Sequence, residues 1–447
     1  ENGVFLSCRG LTGVTFPASM TYFGGWMFYS CMNLREVHFR GRVREFQERS
    51  FSSCMNLERV DMPEGLTRIG VEAFYECTNL LEIPLPEGLL ALDRKAFSMC
   101  RFFRTLRLPR SLTQLDSSVF RGCDGLETLI VPGSLREVPE RAFFTCFGLK
   151  HLTIGEGVEK IGEAAFGHCR SLAELVLPSS LTELGEQAFE GCTRLESVVL
   201  REGIRRLGAG CFAGCWKLAR LQVPASLTEI GGGAFSQCFG LADEEENVIQ
   251  DGVFYAYLGE RSEIRVPEGV RLAASGAFAG NSGYVKITLP GTVREIGRGA
   301  FQDCDHLREL RIPAPGVSIP GADPFRGCDS LVTAAVWGMG PEDFADEAAR
   351  TAAALGYCSE YASFPPEMAA QYRPYLEEHQ ERLLKRAVDC QLTDAVKYFT
   401  DTDAVGTEQF GGILEYAQQK RAMEIVALLL AYRGRHPETD LWDRYSL

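Results

Sequence analysis

Cysteine is the residue type whose spacing in this sequence first points to chemistry. The 447-residue chain has 16 cysteines, and thirteen of them occupy one repeated position, three residues after an aromatic position that Phe usually fills. They run without a gap from Cys31 to Cys238 at intervals of 23 residues, and the same position returns at Cys8, Cys304 and Cys328. Thiols in such a series could form disulfides, bind a metal ion or act as nucleophiles.

The repeat favours buried free thiols. Successive coils of a repeat protein lie about 4.8 Å apart, which falls within the Cα separation that a disulfide can bridge. Thirteen is an odd number, however, and the inward side chains of stacked coils run parallel instead of facing one another. We therefore expect these cysteines to be small apolar core residues, with disulfides and a metal site as the alternatives. Free thiols also favour a reducing compartment.

Other patterns of catalysis and metal binding are missing from the sequence. Cys211 and Cys215 lie four residues apart, but no second pair follows, so their spacing does not predict zinc. A thiol buried among Leu and Phe stays neutral and is a poor nucleophile. No Gly-rich phosphate loop, His-Glu-x-x-His helix or Gly-x-Ser-x-Gly turn occurs. We predict no catalytic residues, no cofactor and no metal site, and expect that the protein is not an enzyme.

The elements that carry the thiols form a regular repeat. Phe recurs every 23 residues from Phe28 to Phe235. In the coil that begins at Leu172, alternate residues are apolar, as in a strand with one buried face. Pro178 then ends the strand because it has no N–H to donate. A fixed period of 20–29 residues is typical of leucine-rich-repeat solenoids.

The repeat is interrupted once, between Phe235 and Phe278. We place Tyr255 in the position of the missing Phe, because the residues that follow it are then in register. An acidic run at 243–246 comes first, and the Asp251-Gly252 pair between β-prone residues predicts a hairpin. The sequence therefore predicts a short hairpin or loop over about 242–262 that projects from the stack.

The repeat resembles the BspA-like class of bacterial leucine-rich repeats over residues 1–337. That resemblance implies a right-handed solenoid with a parallel sheet on its concave face and no catalytic residues. The class includes surface adhesins that bind host matrix proteins or other bacteria, alongside members of unknown role. Its pattern is matched here by Leu172, Leu175, Pro178, Leu181-Thr182, Leu184-Gly185, Ala188-Phe189, Cys192 and Leu195.

After Trp337 the period disappears and helices are predicted. Residues 338–370 form a helical linker or cap in this interpretation. The first helix runs from Pro341 to Tyr357, since Pro is favoured at the first position of a helix, and Pro365-Pro366 then breaks the chain. A cap is expected because a solenoid needs a cover for the open apolar end of its last coil.

Residues 371–447 are predicted to form a pair of helical hairpins with an internal echo. Leu384 and Val396 are repeated 30 residues later at Leu414 and Val426. Each half has two helices joined by a short polar turn. The region resembles a degenerate ankyrin-type helix pair, but the Thr-Pro-Leu-His signature is missing, so a generic helical hairpin pair is the alternative. It either caps the solenoid or binds a partner itself.

Charge and hydropathy limit the partners. The net charge of −14 disfavours nucleic acid and anionic membranes, because both bind clustered Lys and Arg. No run of 18 apolar residues occurs, so no membrane span is predicted. The chain opens in mid-repeat and shows no signal peptide or lipid anchor; with the free thiols this favours the cytoplasm, whereas the family resemblance favours the cell surface or secretion. A monomer is expected.

The outer surface of the predicted sheet is the remaining candidate for function. Two residues per strand point outward, and solenoids offer such extended surfaces to protein partners. Arg is favoured at an interface because its planar group forms paired hydrogen bonds. The predicted partner-binding residues are Arg59, Arg107, Ile130, His151, Val176, Val199, Arg220, Lys286 and Arg311.

Two functions are compatible with this pattern. We favour a non-enzymatic protein that binds a macromolecular partner on the concave face or on the hairpin insertion, in the manner of an adhesin. The alternative is an intracellular scaffold whose C-terminal helical region carries the recognition. For the outward residues themselves, a solvated face without a special role is the plain alternative.

Overall fold

The computed structural model describes residues 2–224, 226–319, 325–344, 346–405 and 407–436. The chain divides into two compact units, Glu1–Val248 and Ile249–Leu447. The predicted helical region extends to residue 447, and its last part, 437–447, lies outside the described residues.

Each coil of the first unit contributes short parallel strands. One strand set, which we call the face ladder, comprises Gly13–Phe16, Glu36–Phe39, Arg59–Val60, Thr105–Arg107, Thr128–Val131, His151–Ile154, Glu174–Val176, Ser197–Val199 and Arg220–Gln222. The second ladder comprises Glu45–Phe46, Arg68–Ile69, Ala91–Leu92, Gln114–Leu115, Glu137–Val138, Lys160–Ile161, Glu183–Leu184, Arg206–Leu207 and Glu229–Ile230. Paired residues are one repeat apart, as in Glu36 opposite Arg59. The 23-residue period is thus the distance along the chain from one coil to the next.

The interior of the first unit is a stack of Phe rings. From Phe28 to Phe235, successive ring centroids lie 4.9–6.0 Å apart and the ring planes stay within 15° of parallel. These rings are buried together with the ladder cysteines and the inward Leu, Ile and Val residues. Each coil covers its apolar side only with its neighbours, so the stack is the core.

Two left-handed residues flank the ladder Phe of each coil. Around Phe143, Arg141 has φ 52° and Thr145 has φ 59°. The corresponding positions of other coils also have positive φ, whether or not they are Gly. A non-Gly residue in this conformation costs roughly 1–2 kcal/mol. The turn is therefore imposed by coil packing, not by local preference.

The second unit opens on a hairpin formed by Asn247–Gln250 and Val253–Tyr257. The turn residues Asp251 and Gly252 have φ 52° and 77°, as the type I′ hairpin turn requires. Contrary to our expectation, the hairpin does not project. Its second strand pairs in parallel with Leu272–Ala273, so the hairpin continues the second ladder.

The hairpin changes which ring enters the core. Phe254 stacks on Phe278 with centroids 4.8 Å apart, so our placement of Tyr255 in the ring stack is wrong. The reason is register: Val253 pairs with Leu272, an interval of 19 residues (272 − 253) instead of 23.

The remaining strands of this unit keep the regular period. The face ladder continues as Glu263–Arg265, Lys286–Thr288, Glu309–Ile312 and Thr333–Val336, and the second ladder as Leu272–Ala273 and Glu295–Ile296. The rings of Phe278, Phe301 and Phe325 stack in turn. Phe344, beyond the 3-10 turn Pro341–Asp343, adds a further ring 5.5 Å from Phe325.

Helix α1 (Glu347–Glu360) packs on the last strand of the face ladder. It begins six residues later than predicted, because Asp346 caps it by accepting a hydrogen bond from the Ala349 backbone N–H at 2.7 Å. Gly356 lies inside the helix, where a Cβ would come within 2.6 Å of the Ala334 backbone. The lack of a side chain there allows the helix to approach the strand closely.

The other helices of the second unit follow in short steps. They are α2 (Met368–Glu378), α3 (Gln380–Asp389), α4 (Thr393–Asp401), α5 (Thr407–Gln419) and α6 (Met423–Arg435). The sequence echo has a structural counterpart: Gln391 and Arg421, 30 residues apart, have φ 55° and 58° in the turns that precede α4 and α6. The predicted fold class, a parallel leucine-rich-repeat solenoid followed by a small helical region, is confirmed.

Candidate interaction surface

The outward residues of the face ladder form two rows across neighbouring coils. Parallel pairing without a register shift places residues 23 apart directly opposite each other, as in Thr128 opposite His151 and Ile130 opposite Thr153. Side chains alternate along a strand, so each strand offers one residue to each row. The repeat therefore converts a spacing in the sequence into a continuous surface.

The predicted partner-binding residues divide between the two units. Seven belong to the first unit: Arg59, Arg107, Ile130, His151, Val176, Val199 and Arg220. Lys286 and Arg311 belong to the second unit. The face ladder of the first unit is hydrogen-bonded in three sheets, over 13–60, 105–154 and 174–222.

The outward residues between Thr105 and Gln222, which we call the central face, combine apolar side chains with free charges. Val176 is 51% exposed, and Ile130 and Val199 are partly exposed. Arg107 and Arg220 are exposed. Neither guanidinium forms an ion pair with any residue that the structure describes. These groups are accessible for contacts with another molecule.

The outward residues of the first coils are instead paired with one another. His38 Nδ1 lies 2.6 Å from Asp61 Oδ2, and His38 Nε2 lies 3.5 Å from Glu36 Oε2. Arg59 Nε lies 3.4 Å from the other oxygen of Asp61. The hydrogen bond to Asp61 raises the pKa of His38. Arg59, the only predicted residue in this group, is therefore engaged within its own chain.

A depression of about 730 Å³ adjoins these paired charges. Its lining includes Arg59, Leu81 and Glu82. The face ladder is interrupted here, between Val60 and Thr105, and Pro84 stands at a position where a ladder donor is needed. Leu81 is 55% exposed as a result. We did not predict this depression, although Pro84 in the middle of a strand position was a visible signal.

The two predicted residues of the second unit have partners in the chain. Lys286 Nζ lies 2.6 Å from Glu309 Oε2 on the next strand. Arg311 Nε donates to Glu360 Oε2 at 2.6 Å, at the end of helix α1. Both charges are thus compensated internally.

The cysteine ladder serves packing. All 16 cysteines lie within the described residues and are unpaired, and only Cys8 and Cys390 are partly exposed. From Cys31 to Cys238, each ladder Sγ donates to the carbonyl oxygen of a Phe in the preceding coil, with Sγ–O distances of 2.8–3.5 Å. The prediction of buried free thiols is confirmed.

Burial also sets the chemistry of these thiols. It raises the pKa of the Cys77 and Cys100 thiols well above the usual range, because a thiolate among apolar side chains loses its hydration. Such thiols are inert as nucleophiles. Within the described ranges, no group of three His, Cys, Asp or Glu side chains is arranged to hold a metal ion.

The repeat pattern and its geometry agree with one known family. The sequence pattern described as "BspA type Leucine rich repeat region (6 copies)" matches residues 1–127, 113–242 and 247–338, which together exceed half of the chain. The chain belongs to the BspA-type leucine-rich-repeat family. The matched region ends where the face ladder meets helix α1.

Solved structures of bacterial repeat proteins resemble this BspA-type chain in fold. A leucine-rich repeat protein from Bacteroides ovatus is 24% identical over 75% of this chain and 81% of its own, with a TM-score of 0.50. A leucine-rich cell surface protein from Faecalibacterium prausnitzii is 23% identical over 70% and 80%, with a TM-score of 0.36. The T. pallidum leucine-rich repeat protein is 28% identical over 36% and 78%, with a TM-score of 0.35. None of the curated proteins compared with the chain matches it.

The described part of this BspA-type protein contains no helix that is both long and apolar enough to cross a membrane. Sequence reasoning also missed a pair of exposed aromatic residues, Trp216 and Phe239. Their signal was present in the sequence, since each directly follows a ladder cysteine and they are 23 residues apart.

Proposed function

We propose that this protein is a non-enzymatic protein-binding module that holds a macromolecular partner on its central face. The observation that carries the proposal is the combination of exposed Val176 with Arg107 and Arg220, neither of which has an ion-pair partner among the described residues. Arg and apolar residues in one patch are typical of binding hot spots. Outward charges elsewhere on the face ladder are compensated within the chain.

The partner in this proposal is a protein. The net charge of −14 disfavours nucleic acid, and an adhesin-like role is compatible with the adhesins in the BspA-like class. The hairpin is a weaker candidate for the binding site, because Val248, Phe254 and Tyr257 are buried. The module acts as a monomer in this proposal.

Site-specific photo-crosslinking tests the assignment. A photoreactive phenylalanine analogue replaces Val176 in the full chain, and matched variants carry it at Leu90, which is 48% exposed, or at Met423 on helix α6, which is 69% exposed. The proteins are irradiated with an extract of the source organism and, separately, with an extracellular-matrix extract. We expect a discrete adduct at Val176 that is absent at Leu90.

The adduct is then checked with purified components. The partner identified by mass spectrometry is titrated against the wild-type chain and against Arg107→Glu, and we expect at least tenfold weaker binding of the variant. The same adducts at Leu90 and Val176, or equal affinities, would contradict a role for the central face.

The C-terminal helical region is the second candidate for recognition, as an ankyrin-like binding module. A depression of about 660 Å³ between helices α3 and α5 is lined by Gln380, Glu381, Lys385, Gln409 and Tyr416 among others. Gln380 Nε2 and Gln409 Oε1 are buried without a hydrogen-bond partner in the described structure, and such groups favour an external partner. Adducts confined to the Met423 variant would assign recognition to this region.

A further inference from the structure

A second exposed feature lies on the turns that follow the ladder cysteines. The residue after each cysteine is exposed or partly exposed, and in two consecutive coils it is aromatic: Trp216 is 56% exposed and Phe239 is 57% exposed. Backbones of consecutive coils are in direct contact here, since a Cβ on Gly240 would lie 2.5 Å from the Leu218 carbonyl oxygen. At a coil spacing of about 4.8 Å, the two rings are surface neighbours.

Neither ring is covered by the chain itself. Trp216 and Phe239 form no ring stacking or cation–π contact with any residue in the described structure. Phe147 holds the same position in an earlier coil, and there the Arg170 guanidinium lies 4.9 Å from the ring centroid. Adjacent uncovered aromatic side chains are unusual on a monomer and mark interaction sites.

Fixed negative charge borders the ring pair. The 3-10 turn Phe239–Leu241 leads into the acidic run 243–246. Asp243 Oδ1 accepts hydrogen bonds from the backbone N–H groups of Glu245 and Asn247, both at 2.9 Å, which hold this turn in place. The side chains of Glu244 and Glu245 are exposed, and neither forms an ion pair with a described residue.

We propose that Trp216, Phe239 and the acidic turn 243–246, together named the aromatic–acidic patch, dock a cationic amphipathic segment of a partner protein. The apolar side of that segment covers the two rings, and its Lys or Arg side chains face Glu244 and Glu245. Charge complementarity selects this occupant over an anionic membrane or a nucleic acid. The inference is independent of the proposed role of the central face.

A model peptide tests the patch directly. The probe is a dye-labelled, 18-residue helical peptide of Leu and Lys, titrated against the full chain by fluorescence anisotropy at low and at moderate salt. We expect W216S/F239S to weaken binding at least tenfold. E244Q/E245Q should weaken it about threefold and reduce its salt dependence, because two screened attractions are lost.

Matched variants make the test specific. Phe102 is 55% exposed on an earlier coil, and Glu377 and Glu378 are exposed on helix α2. F102S and E377Q/E378Q should leave the affinity unchanged, as should Arg107→Glu on the central face. Circular dichroism melts establish that every variant is folded.

Three outcomes would overturn the inference. Equal weakening by F102S and W216S/F239S would show that the peptide binds through diffuse surface contacts. Equal affinity for a peptide with Glu in place of Lys would remove the role of the acidic turn. Binding of neutral phosphatidylcholine vesicles that depends on Trp216, without peptide binding, would assign the rings to a lipid surface instead.

Discussion

The inside and the outside of the same coils follow different rules. Inside the first unit, Phe and Cys recur at one position each from coil to coil, and the Phe rings stack with nearly parallel planes. On the outside, the corresponding face-ladder position is Arg107 in one coil, Ile130 in the next and Val176 two coils further on. The interior is uniform because each coil must fit its neighbours. The outer residues carry no such constraint, and recognition is expected where they vary.

Alkaline pH should disrupt the interior most strongly. Burial raises the pKa of the Cys54, Cys77 and Cys100 thiols, so they stay protonated in the folded chain while unfolded thiols ionise above about pH 8.5. The unfolded state then binds fewer protons, and stability falls as pH rises. At pH 9.5 each such thiol removes about 1.4 kcal/mol.

Urea unfolding under reducing conditions at pH 7.5, 8.5 and 9.5 measures this effect, with C77S/C100S as the control whose pH dependence is shallower. An identical urea midpoint at pH 7.5 and 9.5 would mean that the thiols ionise without unfolding the coils.

A single ring of the stack should matter next. Phe97 lies between Phe74 and Phe120, with centroid distances of 4.9 and 5.4 Å. We expect Phe97→Ala to lower the free energy of unfolding by about 3–5 kcal/mol, because it leaves a cavity in the core. Phe102→Ala, in the same coil but exposed, should change it by no more than about 0.5 kcal/mol. Similar losses in the two variants would erase the distinction between inside and outside.

A ladder thiol should contribute less than a ring. Cys77 Sγ donates to the Phe51 carbonyl oxygen at 3.1 Å. Cys77→Ala should cost about 1–2 kcal/mol, because it removes both volume and a hydrogen bond. Cys77→Ser should cost less, since its hydroxyl still donates to that oxygen. Equal urea midpoints for the Ala variant and the wild type would reduce the thiol to a filler of space.

Substitutions on the central face should have the smallest effect on stability. Arg107→Gln and Val176→Thr alter side chains exposed to solvent, so the free energy of unfolding should change by less than about 0.5 kcal/mol. The partner adducts described above should nevertheless weaken. A stability loss above about 1 kcal/mol, measured by urea unfolding, would place these residues in the structural rather than the recognition class.

The period alone was enough to predict the coil, because burial on one side of every coil imposes a spacing that no single residue could conceal. The inward position of the cysteines followed from the same constraint. The ring stack fails only at Tyr255, where a hairpin alters the interval between paired strands. A pattern based on spacing has no means of detecting a local change of register.

The surface was harder to predict. The sequence identified outward residues such as Arg107 and Arg311, but their availability depends on partners far along the chain. Arg311 meets Glu360, 49 residues away, and no local pattern announces that pair. The start of helix α1 was likewise decided by the cap at Asp346 and not by Pro341.

The enclosed sulfurs have a consequence for ageing of the protein. Peroxide and other oxidants need access to sulfur, and in the ladder that access arises only when neighbouring coils separate. A sulfur oxidised during such an opening carries polar oxygens that the space between Phe rings does not accommodate, so the coils cannot close again. Oxidative inactivation should therefore proceed at the rate of coil opening, which makes the speed of chemical damage a clock for the breathing of the solenoid.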